Sequence, residues 1–358
     1  MQRGSPQDLT MSESARNAQH LILPLAAPPR AANRAPWGIW VVITISAMFV
    51  VARLAAPYTL LADLMANVSY FASVPLALAA IVAFTKRRWG LAAAAVALAV
   101  AAAAPIILAI ECGAPVNTES PPAKILVCNI GGQPAAVEPL LALIDREEPH
   151  LVAIVEAEKT VVERLLQNRR LSDRFPFRVV PRIGLEWPHV ILSRHPLEPI
   201  RLQDDKKRYG RLFTFHRAVM VATPAGTVVF SVEHLPSPRR TSAWQDGNLR
   251  IRLLGELVRG QFAALGRPII IAGDFNSTPA GFRYGLLRAQ TGLHPDSIGV
   301  VPVGTWPSWL PNYCRLPLDR VWGSDEVVFL SRTVLENIGS DHCPVLVKFR
   351  LKRADLVE

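Results

Sequence analysis

The run IIIAGDFNSTP, residues 269–279, sets a carboxylate and a carboxamide, Asp274 and Asn276, two positions apart at the end of an apolar stretch. Taken alone it has an ordinary explanation, since Asp, Asn, Gly273 and Pro279 all suit a turn. Other apolar runs finish the same way: Asn129 closes KILVCN, Glu156 closes LVAIVE and His234 closes VVFSVEH. In GSDHCPVLVKF, Asp341 and His342 precede an apolar run, and Asp319 precedes another in LPLDRVWGS. Asn129, Glu156, Asp274, Asn276 and Asp341 offer hard oxygen or amide groups with no thiolate among them, a set that suits Mg2+ or Mn2+ rather than zinc. Asp319 beside His342 would orient the imidazole and favour its protonated form next to a phosphoryl oxygen. Asp274 would then align or deprotonate a water for in-line attack on phosphorus.

These groups can meet only if the strands that carry them share one edge. KILVCN, LVAIVE, HVILSR, RAVMVAT, TVVFSVEH, PIIIAGDFN, EVVFLS and CPVLVKFRL are rich in Val, Ile and Phe and read as strands. PAAVEPLLALIDREE and AWQDGNLRIRLLGELVRGQFAAL carry apolar residues at helical spacing. A strand that begins where its neighbours end must run antiparallel to them, so mixed pairing is expected, with the site at the sheet's edge. Residues 122–351 are enough for one α/β domain with its own core. The Pro- and Trp-bearing segment 302–317 reads as a long loop over one face.

Seven pieces, LVCNIGG, PHLVAIVEAEK, VILSRHPL, SVEHLPSP, IIIAGDFNSTP, LDRVW and GSDHCPV, follow the order and rough spacing of the endonuclease/exonuclease/phosphatase superfamily. The sequence resembles that group, which includes DNase I, abasic-site endonucleases, neutral sphingomyelinases and inositol polyphosphate 5-phosphatases, over residues 122–351. The resemblance implies a DNase I-like, four-layer α/β/β/α sandwich with mixed sheets and one divalent-metal site that hydrolyses phosphoester bonds. By position, Asn129 and Glu156 resemble the first metal-binding pair and Asp341 a further metal-site carboxylate. Asp274 and Asn276 resemble the water-orienting and phosphate-contacting pair, and His342 the phosphate-binding histidine paired with Asp319. His234 is similar to the second family histidine, and Arg217 of FHRAVMV, through a looser motif, to a phosphate-contacting arginine. The chain departs from the nucleases around Glu156, where IVEAEK replaces the usual Gln or Thr before the glutamate. No added DNA-binding loop or helix is evident. The substrate therefore stays open between nucleic acid, a phospholipid head group and a small phosphorylated metabolite.

The chain of 358 residues is 50% hydrophobic and 19% charged, which directs attention to membrane segments. Residues 37–57, 66–85 and 91–110 are each apolar over the length a bilayer-crossing helix needs, with Arg53 the only charge among them. They follow a Ser-, Pro- and Arg-containing segment, 1–36, expected to be unstructured and cytoplasmic. Residues 111–121 are expected to be a linker and 352–358 a tail. Arg3, Arg16, Arg30 and Arg34, with Lys86, Arg87 and Arg88 after the second span, put the N-terminal side in the cytoplasm by the positive-inside rule. Three crossings then place the domain outside it, in the periplasm of a cell with an inner membrane.

Of 39 Lys and Arg, 8 lie before residue 112, and of 29 Asp and Glu, 4 do, leaving the domain basic by only six charges. That suits a phosphate-bearing partner, yet no basic block with interleaved aromatics announces nucleic acid. Cys112, Cys128, Cys314 and Cys343 lack paired metal spacing, although an oxidising compartment would allow a Cys314–Cys343 bond. No obligate protein partner is evident. The alternative function is an inactive sandwich serving as a membrane-anchored binding or scaffold module. It predicts loss of the charged tip residues, all of which are present. A transporter is disfavoured because the three spans show no interior ionisable residue.

Overall fold

The computed structural model describes residues 37–110, 120–180, 189–201, 217–296 and 303–352. The expected N-terminal tail, the C-terminal tail beyond 352 and most of the expected linker lie outside these residues.

Strands β1 (Ala123–Asn129), β2 (Leu151–Val155), β3 (Phe177–Val179) and β4 (Val190–Ser193) join β11 (Val327–Val334) and β12 (Val345–Leu351) in a sheet of order β11-β12-β1-β2-β4-β3. Strands β5 (Leu197–Pro199), β6 (Arg217–Thr223), β7 (Gly226–His234), β8 (Ile269–Asp274), β9 (His294–Pro295) and β10 (Asp319–Gly323) form a second, ordered β5-β6-β7-β8-β10-β9. Both sheets are mixed, and both follow one plan. A parallel pair, β1–β2 or β7–β8, sits at the centre with an antiparallel strand on each side. Each parallel pair needs a crossover, which α5 (Val137–Glu147) supplies between β1 and β2. Helix α8 (Thr241–Leu257), prolonged by a π turn and a 3-10 turn to Leu265, does so between β7 and β8.

Alternation along the strands divides the core into layers. Ala123, Ile125 and Val127 of β1 face Val228, Phe230 and Val232 of β7 in a cluster shared by the two sheets. Leu126 and Cys128, one position out of phase, face α5, α6 (Lys159–Gln167) and α7 (Arg169–Arg174). On the far side Ile269, Ile271 and Trp322 pack against α8 and α9 (Phe282–Thr291). The result is the expected α/β/β/α sandwich. Residues 303–317 form the expected long loop, tied down by the Trp306–Leu316 bridge. Cys128, Cys314 and Cys343 are free thiols, so no Cys314–Cys343 bond is present.

Three candidate spans precede the sandwich: α1 (Trp37–Ala55), the continuous helical stretch Leu60–Thr85, and α4 (Trp89–Leu108). The middle one comprises α2 (Leu60–Val68), a 3-10 turn and α3 (Ser73–Thr85). Apolar side chains such as Trp40, Ile45, Met48 and Leu78 are exposed, as lipid-facing positions are. The middle helix begins six residues before the expected boundary of 66, capped by the Thr59 hydroxyl. It therefore includes Asp63, in its first turn and outside the expected span. A buried carboxylate at the end of an apolar helix needs hydrogen-bond donors. Asp63 is partnered: Oδ2 accepts from Trp244 Nε1 at 2.9 Å and Oδ1 from the Phe282 backbone N–H at 2.8 Å. Both donors belong to the sandwich, so the hairpin and the domain are joined by buried polar contacts.

Candidate functional site

Three strands deliver their last residues to one point, and β2 ends one residue short of it, as their polar tips suggested. In the parallel β7–β8 pair His234 stands opposite Asp274, and Asp319, first residue of antiparallel β10, is also opposite Asp274. In the other sheet Asn129 ends β1, and Glu156 follows β2. Glu156 and Asn276 adopt left-handed backbone conformations, φ 55° and 48°, which turn the chain sharply at the strand ends. Gly273 before Asp274 is required on two counts. Its φ is +148°, and a Cβ there would run into the Glu233 carbonyl.

The side chains converge across the two sheets. Asn129 Nδ2 donates to Glu156 Oε1 and to Asp274 Oδ2, both at 3.0 Å. His234 Nε2 lies 3.1 Å from Glu156 Oε1 and 3.9 Å from Asp274 Oδ2. His342 Nδ1 is 2.7 Å from Asp319 Oδ2, leaving Nε2 3.7 Å from Asp274 Oδ2. Asn276 holds Asp274 in place: its backbone N–H donates to Oδ1 at 2.8 Å, and its side-chain amide reaches Oδ2 at 3.3 Å. The same amide donates to the Leu235 carbonyl at 2.9 Å, fixing the turn after His234.

Two ligand-sized groupings result, Glu156–His234–Asp274 and Asp274–Asp319–His342. The carboxylate oxygens, with no thiolate among the groupings, fit a hard divalent cation, and the two imidazoles stand beside them as proton-bearing neighbours. Glu156 and Asp274 direct oxygens at one amide group, a crowding of negative charge that a cation would relieve. Asp319 Oδ1 is buried with no hydrogen-bond partner among the described residues.

Burial and charge tune these groups in opposite directions. Burial and the neighbouring Asp319 push the Asp274 carboxyl up to about 6, against the pull of His342 and His234. Burial disfavours the His342 imidazolium, but Asp319 and Asp274 outweigh it and raise the imidazole to about 10. His234 is likewise raised, its Glu156 contact overcoming burial. Burial acts upward on Glu156, yet the His234 and Asn129 hydrogen bonds leave its carboxyl below the usual range.

Asn129, Glu156, His234, Asp274, Asn276, Asp319 and His342 are thus brought together. Asp341 lines the same cavity, with its exposed carboxylate at the rim, where Oδ2 accepts from Trp306 Nε1 at 3.1 Å. Arg217 opens β6 opposite Val232, at the same end of the sheet as His234, and its side chain lies outside the described residues. A cavity of about 330 Å³ opens over Glu156, Asp274 and His342. Its rim includes residues the sequence reading passed over: Arg239, Trp306, and, from α2, Leu64 and Asn67. A signal for the last was present, because Asp63 and Asn67 are polar residues at i,i+4 in an otherwise apolar helix.

The sequence profile of the Endonuclease/Exonuclease/phosphatase family matches residues 126–342. No curated protein sequence matches significantly. Similar solved structures include an endonuclease/exonuclease/phosphatase from Beutenbergia cavernae, 16% identical over 64% of this chain and 72% of that one, with a TM-score of 0.49. TDP2 of D. rerio complexed with single strand DNA product is 15% identical over 64% and 99%, TM-score 0.49. An AP endonuclease from Archaeoglobus fulgidus is 10% identical over 63% and 98%, TM-score 0.50, a likeness of fold.

Proposed function

The chain belongs to the endonuclease/exonuclease/phosphatase family, and on that premise we propose that it is a membrane-anchored, divalent-metal-dependent phosphoester hydrolase. The observation that carries this reading is the meeting of Glu156, Asp274 and both histidines around the Asn129 amide, linked by contacts of 3.0 to 3.9 Å. A binding module has no need of that constellation.

Glu156 would hold the metal, Mg2+ or Mn2+, with Asp274 adjoining, and Asn129, whose Oδ1 accepts the Gly131 N–H, would position both carboxylates through its Nδ2. When bound, the ion supplies a Lewis acid that offsets charge on the phosphoryl oxygens. The chain's own groups do the rest. His342, kept protonated by Asp319, presents its free Nε2 side as a donor to a phosphoryl oxygen. Asp274, held by the Asn276 backbone, is placed to accept a proton from the attacking water. His234 bridges Glu156 and Asp274 as a second cationic donor. Asn276 positions both, through the Asp274 carboxylate and the Leu235 carbonyl. The anchor is the three apolar helices, and the distribution of Lys and Arg favours a domain outside the cytoplasm.

The test uses the full chain in detergent with bis-p-nitrophenyl phosphate, with Mg2+, Mn2+ or EDTA. Metal-dependent turnover is expected, falling by about a hundredfold or more in Asp274→Ala and in His342→Ala, since each removes a proton-transfer or charge-stabilising group. No metal-dependent turnover of this or other phosphoesters would favour the inactive scaffold.

A further inference from the structure

The cavity over Asp274 is not built by the sandwich alone. Glu156, Asp274 and His342 form its floor, whereas Leu64 and Asn67 of α2 contribute a wall. That wall is fixed to the catalytic segment. Asn67 Oδ1 accepts the Thr278 N–H at 2.7 Å, and the Asn67 carbonyl accepts the Thr278 hydroxyl at 2.8 Å. Gly281 lets the two approach, for a Cβ there would strike the Asn67 amide. Trp306, Leu316 and Leu318 also line the cavity. Leu316 packs with Ile106 of α4 and with Tyr70, so the loop rests on the ends of the candidate spans.

The surroundings are those of a membrane surface. Tyr58 and Leu61 beside α2's start are exposed, and on the loop Trp309 is 69% and Tyr313 71% exposed. Trp and Tyr side chains suit the head-group level, where one end is apolar and the other wet. Arg239 is the one Lys or Arg among the cavity's described lining residues. A single cation suits a single phosphodiester, whereas a polynucleotide is tracked by several.

Resting on the hydrolase reading above, we propose that the membrane hairpin completes the active site and that the substrate is a membrane-embedded lipid phosphodiester. Its phosphate enters the cavity between Arg239 and His342, and its apolar tail stays against Leu64. Water oxygen bonds to phosphorus as the P–O bond to the diacylglycerol oxygen breaks. One water proton passes to Asp274 and the other stays on the phosphate; the departing oxygen takes the Nε2 proton of His342, which the Asp274 proton then restores, and diacylglycerol and the phosphorylated head group result.

The experiment measures kcat/KM of the full chain in mixed micelles on dioleoyl phosphatidylglycerol, phosphatidylethanolamine and phosphatidylcholine. Their soluble dibutyryl counterparts, a single-stranded DNA oligonucleotide and bis-p-nitrophenyl phosphate are run beside them. At least one dioleoyl lipid is expected to exceed its dibutyryl form by about tenfold, the size of one apolar side-chain burial. Leu64→Ser should cut that ratio by a similar factor, while Leu78→Ser, on the exposed face of α3, should leave it unchanged. Dibutyryl lipids or DNA turned over as fast as the best dioleoyl lipid, or an unchanged ratio in Leu64→Ser, would overturn the lipid assignment and leave the hydrolase standing. Absence of turnover on every phosphoester, bis-p-nitrophenyl phosphate included, would instead remove the hydrolase reading itself.

Discussion

Asn67, in a helix apolar enough to enter a bilayer, accepts the backbone N–H of Thr278, four residues beyond Asp274, at 2.7 Å. Both residues are buried, and the Asn67 amide also donates to the Asp63 carbonyl at 2.8 Å. Asn67→Ala would leave the Thr278 N–H without its acceptor, a loss of about 1–3 kcal/mol. The expected outcome is a lower Tm of the full chain and faster hydrogen exchange at Thr278. Unchanged exchange at Thr278 in Asn67→Ala would mean that the hairpin does not dock on this segment.

The crowding of Glu156 and Asp274 against one amide has a consequence that does not depend on turnover. A cation binding there stabilises the folded state by mass action, by about 2.7 kcal/mol at one hundred times its Kd. Mg2+ or Mn2+ should raise the Tm of the wild type and have much less effect on Glu156→Gln. Equal metal-induced shifts in the two proteins would place the cation elsewhere.

The polar strand tips were legible in the sequence because a buried strand is a run of apolar residues whose first polar residue marks its end. Asn129, His234 and Asp274 all stand at such ends. The runs also had the right length and β-branched content, so an α/β domain with mixed pairing could be drawn from them, while the four-layer sandwich came from the family resemblance. Three strands escaped, Phe177–Val179, Leu197–Pro199 and His294–Pro295, because two or three residues carry no period. Asp63 escaped for a different reason. Hydropathy averages over a window, and one carboxylate among Leu, Ala and Met scarcely lowers it, while its partners Trp244 and Phe282 lie some two hundred positions away. Asp341 and His342, adjacent in sequence, take different directions on reaching the cavity. The imidazole turns in to Asp319 and the carboxylate turns out to Trp306.

His342 gives a pH signature. Its Nδ1 contact with Asp319 and the nearby Asp274 carboxylate raise it, against burial, to about 10, compared with about 6.5 in an unfolded chain. A raised folded-state value means that the stabilisation it contributes is fully present below about pH 6.5 and disappears as pH rises through about 10. In EDTA-treated protein the imidazole should stay protonated beyond pH 8 by NMR. Asp319→Asn should lower its midpoint by roughly one to three pH units, the usual influence of an adjacent opposite charge. An unaltered midpoint in that variant would remove Asp319 from the role given it.

Orientation can be read with a fusion at Glu358. The cluster Lys86, Arg87 and Arg88 after the second span sets the sign. Alkaline phosphatase fused there, active only outside the cytoplasm, should be active, and a reporter that matures only in the cytoplasm should stay dark. The reverse pattern would turn the domain inward.

Gly273 couples the fold to the site more directly than any charged residue. It lies in β8 paired with Glu233, one position before the His234–Asp274 pair, at φ +148° with the Glu233 carbonyl where a Cβ would stand. Gly273→Ala must either adopt a backbone conformation that costs about 1–3 kcal/mol or push β7 from β8. The second response separates His234 from Asp274 and with it the Glu156–His234–Asp274 grouping. Tm should therefore fall and turnover should fall further than the folded fraction does, because the fault lies one residue from the reacting groups. A variant that matched the wild type in both would show that β7 and β8 do not need this close approach to align their ends.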